Sequence, residues 1–179
     1  MQKQMIGDVV DVILKKVDDA KLPYIEIGDI DVSIKQYNIK DKPAVDGALK
    51  AGKNHILISK VRPTRGAVVV VVDDCFVSNA FVVLQARQSI LPKYLFYSVA
   101  YDKDFFAHLG RLEKGTSYPS CRAKDILSYK IPVPSKTEQE RIVEILDCAE
   151  ALRQKRKESL RLLDELLRAT FLDMFGDSL

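Results

Sequence analysis

The sequence predicts an α+β chain: a sheet-rich domain over residues 1–134, then one long helix over 135–179. Three observations carry this. Short β-prone apolar stretches separated by Gly, Pro, Asp and Asn fill the first part. Apolar residues recur every three or four positions in the second. The stiff joint Ile131-Pro132-Val133-Pro134, which neither a helix nor a sheet interior accepts easily, divides them. At 179 residues, 47% hydrophobic and 30% charged, the chain has enough apolar surface to fold and too little length for a large multidomain enzyme.

Taken in order, Met1 to Asp8 holds one Lys and no apolar core of a secretion signal. The longest apolar run, Ala67 to Val72, is far shorter than the ~18 residues of a bilayer span, so a cytoplasmic protein with no membrane segment is expected. Strands are expected at Tyr24–Ile27, His55–Ser59, Ala67–Val72 and Ala80–Leu84, with Asp73-Asp74 forming a hairpin turn after the third. Pro92, tolerated in a first turn, opens a helix through Leu95, Tyr97 and Val99 toward Phe105. Cys75, Cys121 and Cys148 form no Cys-x-x-Cys pair and read as reduced packing residues.

Thr137 and Glu140 make a Thr-x-x-Glu capping box that starts the second part's helix. Its apolar stripe is Ile142, Ile145, Leu146, Ala149, Leu152, Leu160, Leu163, Leu166, Leu167 and Phe171, with Arg156 on the seam and Gly176 as the stop. Glu138 to Phe175 is 38 residues, about 57 Å of helix. A 100-residue domain has a radius of ~13 Å, so such a stripe cannot be buried along its own domain throughout. A partner helix is implied.

Charge bears on how that partner runs. Residues 138–150 carry five acids against Arg141, net −4, and residues 151–168 carry six bases against three acids, net +3. An antiparallel pair of identical helices sets acid against base. The same asymmetry also complements the helix dipole without any partner. Arg156 weakens a homogeneous leucine zipper and favours a defined register or a distinct partner.

Catalytic signatures are missing. Gly47 to Asn54 has a Gly-x4-Gly-Lys skeleton, but Asn54 replaces the magnesium-holding Ser or Thr and a strand follows instead of a helix, so a turn at Gly52 is expected. His55 and His108 lack neighbouring Cys or His at ligand spacing. No glycine-rich methyl-donor loop or Asn-Pro-Pro-aromatic motif is present. A non-catalytic chain without metal or cofactor of its own is the expectation.

Basic loops remain. Residues 1–134 hold 20 Lys or Arg against 15 Asp or Glu, net +5, which places any phosphate-facing surface there. Lys60, Arg62 and Arg65 share a proline-containing turn between two strands, and a second stretch holds Arg111, Lys114, Thr116, Ser117, Tyr118, Arg122 and Lys124. Arg can grip guanine or a phosphate in bidentate fashion, and Gly, hydroxyls and one aromatic among bases suit backbone and base-edge contacts. Each stretch reads equally well as a solvated polar loop. The aromatics Tyr94 to Phe106 fit core packing better than base stacking.

Several of these residues carry a family likeness. Leu22-Pro23-Tyr24-Ile25-Glu26-Ile27-Gly28-Asp29-Ile30, Ile56 to Pro63, Val77-Ser78-Asn79-Ala80-Phe81 and Leu91-Pro92-Lys93-Tyr94-Leu95 resemble, in order, landmarks of a target-recognition domain in type I restriction-modification specificity subunits. Ile131 to Pro134, Glu138-Gln139-Glu140-Arg141-Ile142-Val143 and the long helix ending Met174-Phe175-Gly176 are similar to that family's shared spacer. Full-length members resemble two copies of domain plus helix, so this chain looks like a half-length form. Lys15-Lys16-Val17-Asp18-Asp19 stands where the family often has a Trp and a glycine-rich stretch.

The resemblance implies a non-catalytic subunit that recognises double-stranded DNA at a bipartite target. It implies methyltransferase (modification) and restriction subunits as partners, with S-adenosylmethionine and ATP used by them, and a homodimer joined through the C-terminal helix as an antiparallel coiled coil. A decoy that pairs with a full-length specificity subunit without reading DNA is the competing expectation.

Overall fold

The computed structural model describes residues 3–16, 21–39 and 42–176. Of the Lys15–Asp19 stretch, residues 17–19 lie outside this description. The chain forms two compact units, Met1–Val143 and Glu144–Leu179.

The first unit opens with β1 (Lys3–Met5), the single turn α1 (Ile6–Val9) and β2 (Val10–Ile13). Short strands follow: β3 (Tyr24–Ile25), β4 (Ile30–Asp31), β5 (Gln36–Tyr37), β6 (Leu49–Ala51), β7 (Ile56–Ser59), β8 (Val68–Val70), β9 (Cys75–Val77) and β10 (Phe81–Ala86). The helices α2 (Pro92–Ala100), α3 (Lys103–Leu112) and α4 (Ala123–Leu127) lead to β11 (Lys130–Pro132) and to α5 (Lys136–Phe175).

An antiparallel sheet of order β2-β10-β7-β8 organises the unit. Ile56, Ile58, Val68, Val82 and Leu84 on one face pack with Leu95, Val99, Phe105, Leu109 and Ile126 of the helices. Leu57, Val69 and Val83 on the other face pack with Ile25, Ala51, Cys75 and Val77 of a second sheet, order β3-β9-β6. Because both faces are covered, polar residues within these strands are confined to their ends, Ser59 in β7 and Gln85 in β10. This is why β7, β8 and β10 read as unbroken apolar runs and lie where the sequence puts them.

Elsewhere the structure corrects the reading. The strand at Tyr24 stops at Ile25, because the Asp29 carboxylate accepts the Glu26 N–H at 3.1 Å and winds Ile27–Asp29 into a 3-10 turn. Asp73-Asp74 is no hairpin, since β8 and β9 belong to different sheets. The helix from Pro92 ends at Ala100. Asp102 caps a new one, accepting the Asp104 N–H at 2.8 Å and the Tyr129 hydroxyl at 2.7 Å. The expected turn at Gly52 is present: its carbonyl accepts the His55 N–H at 3.0 Å, and its own N–H donates to His55 Nδ1 at 2.9 Å.

α5 begins two residues before the expected capping box. Ser135 stands at its start, its carbonyl accepting the Gln139 N–H at 2.9 Å, so Thr137 lies inside the first turn. Gln139 is fully buried and makes three hydrogen bonds. It accepts the Leu91 N–H at 2.8 Å and donates to the carbonyls of Ser89 at 3.0 Å and Pro134 at 2.9 Å. Ile142 and Val143 pack against the core of the first unit, so Ile142 is covered by its own domain.

In the second unit Ile145, Leu152, Leu160, Leu163, Leu166, Leu167 and Phe171 are exposed, each by more than half. Leu146 is partly covered, and Ala149 and Arg156 are exposed. Cys148 is exposed, unlike the buried Cys75 and Cys121, and so is not a packing residue. Among the described residues no helix is long and apolar enough to cross a membrane.

Candidate functional site

Two cation-bearing segments far apart in sequence are stitched together by backbone. The first joins β7 to β8, and the second joins α3 to α4. The Arg62 N–H donates to the Pro119 carbonyl at 2.7 Å, and the Cys121 N–H donates to the Lys60 carbonyl at 2.9 Å. Lys114 and Ser120 exchange both backbone hydrogen bonds, at 2.8 and 2.9 Å, closing residues 115–119 into a loop. The Lys60 N–H donates to the Ala80 carbonyl at 2.8 Å and adds the Ser78-Asn79-Ala80 corner. Three stretches that sequence shows separately thus form one surface.

Arg62 is built under strain. Its φ of 44° lies in the left-handed region, which costs a non-glycine residue of order 1–3 kcal/mol. The following 3-10 turn, Pro63–Arg65, and the bond to Pro119 hold it there. Its guanidinium lies 5.6 Å from the Tyr118 ring centroid, a cation–π distance, and the Tyr118 side is well exposed. Gly66, at φ +76°, ends the turn. The ammonium of Lys35 donates to its carbonyl at 2.5 Å while lying 5.8 and 5.5 Å from the rings of Tyr101 and Phe106.

Two clefts flank Tyr118. One, of about 490 Å³, is lined by Ile27, Gly28, Ile30 and Val32 from the stretch around β4 and by Arg62, Arg65 and Tyr118 from the two stitched segments. The second, of about 590 Å³, has polar lining from Lys60, Ser78, Asn79, Ser120 and Arg122. Val61 and Tyr118 border both.

Of the expected contact residues, Lys60, Arg62, Arg65, Tyr118 and Arg122 line these clefts, while Lys114 closes the loop through its backbone pair with Ser120 and Thr116 and Ser117 are exposed on that loop. Arg111 sits on the last turn of α3, its Nε donating to the Ala107 carbonyl at 3.2 Å, and Lys124 lies on α4; neither borders a cleft. The side chains of Lys60, Arg65 and Lys114 make no ion pair among the described residues. Arg122 Nε lies 3.5 Å from Asp125, whose carboxyl is held below its ordinary range chiefly by the Arg122 backbone N–H, 2.8 Å away. Burial pushes the Cys121 thiol up to about 11, so it is not a nucleophile at neutral pH. Among the described residues no group of three or more His, Cys, Asp and Glu is placed to hold a metal ion.

Sequence reasoning missed Lys35 and the wall formed by Gly28, Ile30 and Val32. Gly28 and Ile30 stood in a quoted landmark, but nothing in their chemistry announces a cleft.

A family model for the type I restriction modification DNA specificity domain matches residues 1–162. Among solved structures, the chain is similar to an HsdS subunit from Thermoanaerobacter tengcongensis, with 23% identity, TM-score 0.73, and coverage of 98% of this chain and 47% of that one. It is also similar to a chain from a structure of complex assembly and conformational transition in the type I R-M system, at 22% identity, TM-score 0.73, and 98% and 48% coverage. A type I restriction-modification S subunit from M. genitalium gives 20% identity, TM-score 0.60, and 98% and 44% coverage. The chain spans about half the length of these subunits. Identities this low speak to fold alone. No curated protein sequence matches it.

Proposed function

We propose, because the chain belongs to the type I restriction modification DNA specificity domain family, that it reads one half of a bipartite DNA target through the surface around Tyr118. The reading makes it a non-catalytic specificity subunit that directs methyltransferase and restriction subunits. S-adenosylmethionine and ATP belong to those partners. The observation that carries the DNA contact is the backbone stitching of the Lys60–Gly66 and Lys114–Arg122 segments. Cations on a loop pinned at both ends are preorganised, so little side-chain and loop entropy remains to be lost on binding.

The second specificity half is a second copy, joined through α5. Reflection about Arg156 carries Ile145 onto Leu167, Leu146 onto Leu166, Ala149 onto Leu163 and Leu152 onto Leu160. A seam that reads alike in both directions lets two identical antiparallel helices set apolar against apolar along its length. The charge asymmetry supports this orientation less. Arg153 pairs with Glu150, and Arg161 with Glu158 and Glu165, within the same helix. The helix has 40 residues, about 60 Å, so two inverted half-sites stand apart by no more than about one to two turns of DNA, at ~34–36 Å each.

Fluorescence anisotropy with mixed-sequence duplexes over a range of salt tests the DNA reading. A steep fall of affinity with salt is expected, shallower by ~1 in log–log slope for each of Arg65→Ala and Lys114→Ala. A salt-independent signal, or slopes unchanged in both variants, returns the chain to an assembly module that reads no DNA. Single cysteines at positions 146 and 167, in a Cys148→Ser background, test the orientation: links between 146 and 167 are expected, and preferential 146-to-146 links contradict it.

A further inference from the structure

We infer that the cleft between Gly28 and Tyr118 is a slot for a single nucleobase unstacked from DNA, with the adjoining phosphate on Arg62 and Arg65. The inference rests on the DNA reading above and goes beyond it, since holding phosphates needs cations on a surface and no cavity at all.

The cleft's size and chemistry point to that ligand. Its volume, about 490 Å³, lies within the range of ~300–1,000 Å³ typical of small-molecule sites. Ile27, Ile30 and Val32 give it an aliphatic wall, and the exposed Tyr118 gives it an aromatic one. A flat aromatic ring suits a cleft lined by both aliphatic and aromatic side chains. Two guanidinium groups at the same cleft suit an anion attached to that ring. An inorganic anion would leave the aliphatic wall without a role, and an apolar chain would leave the arginines without one.

Gly28 supplies an independent observation. Its backbone is not in the left-handed region, and a Cβ built on it meets no atom within 4 Å. Neither conformation nor crowding within the chain therefore calls for glycine. Glycine loses more backbone freedom on folding than any other residue, so its presence at an ordinary position has a cost. What it preserves is open space, and Gly28 lines this cleft. In the same cleft, the strained Arg62 is held with its guanidinium beside the Tyr118 ring before any ligand arrives. Stacking a base on an aromatic ring offsets a comparable part of the cost of unstacking it from its neighbours.

The test titrates 2-aminopurine deoxyriboside 5′-monophosphate into the full chain and follows its fluorescence. Saturable quenching is expected. Gly28→Leu, which fills the slot from a position with room for it, should weaken binding by at least about tenfold with the thermal midpoint retained. Val32→Phe fills the slot from the same wall by a different residue and serves if Gly28→Leu fails to fold. Absence of saturable quenching, equal binding by wild type and the filled variants, or complete displacement by an equal concentration of inorganic phosphate would each overturn the slot. Duplex binding by the wild-type chain is measured in parallel. If the duplex binds with a salt slope and the mononucleotide does not, the slot alone falls. If the mononucleotide saturates and the duplex does not bind, the slot stands and the DNA reading falls.

Discussion

Arg62 joins backbone strain to a guanidinium on the proposed DNA surface, and the two can be separated. Glycine enters the left-handed region without penalty, so Arg62→Gly relieves the backbone while deleting the guanidinium. Chemical denaturation should show stability kept or raised by up to about 1 kcal/mol, against a loss of duplex affinity of about tenfold. Arg62→Val keeps the strain, adds β-branching and should lose both. His55 makes a pH prediction. Its Nδ1 accepts the Gly52 N–H at 2.9 Å, which requires the neutral ring, and burial lowers its pKa below the ordinary histidine value. A lowered folded value means the contribution is complete above about pH 6.5 and is lost as pH falls through the folded value. Stability measured from pH 7 to 5 should decline less in His55→Leu than in wild type. Neither residue declares its conformation in the sequence. A positive φ at an arginine and a histidine turned back on its own turn follow from tertiary contacts to Pro119 and to the strand that His55 precedes.

β7, β8 and β10 of the main sheet were legible because burial on both faces leaves nearly continuous apolar runs, whereas its edge strand β2, Val10–Ile13, is interrupted by Asp11 and was not foreseen; α5 was legible because its period persists over 40 residues. The misplaced boundaries share one cause. At Glu26, Asp102 and Ser135 a side chain or a neighbouring carboxylate supplies a cap that redirects the backbone, and such a bond outweighs the local propensity to continue a strand or a helix. The candidate surface was half legible. Charge and turn residues marked its two loops, but their stitching depends on a Val61 to Ser120 bridge across 59 residues of chain, and no local pattern encodes a bridge. Gln139 is the instructive case within α5. In sequence it is one residue of the spacer-like stretch Glu138–Val143 with no role of its own, yet its amide answers one backbone N–H and two carbonyls where the helix meets its own domain. Gln139→Leu keeps the volume and strands the Leu91 N–H. A loss of about 2 kcal/mol is expected in denaturant titration, with the helical content of α5 little changed. A loss below a few tenths would mean that the apolar contacts of Ile142 and Val143 suffice to fix this junction.

At the scale of the whole molecule, the proposed pairing of two α5 helices turns on Arg156. In the antiparallel register set by the seam, each Arg156 reflects onto the other, so a homodimer places two cations at its dyad. Apolar residues on either side, Leu152 and Leu160, favour association, while like charges in a partly desolvated seam oppose it. A symmetric pair is therefore weakened at its centre. Register is gained in return, because sliding one helix by a turn sets Arg156 against Leu152 or Leu160 and removes some of the apolar matches. Arg156→Leu removes the repulsion and completes the stripe from Ile145 to Phe171. Sedimentation equilibrium should then show self-association tightened by at least about tenfold, with weaker dependence on salt than in wild type. The gain should come with a loss of uniqueness: cysteines at 146 and 167 should cross-link less selectively once the central marker is gone. Unchanged association in Arg156→Leu would mean that the seam does not face a second α5, and the distance between two recognition surfaces would then have to be set by some other element.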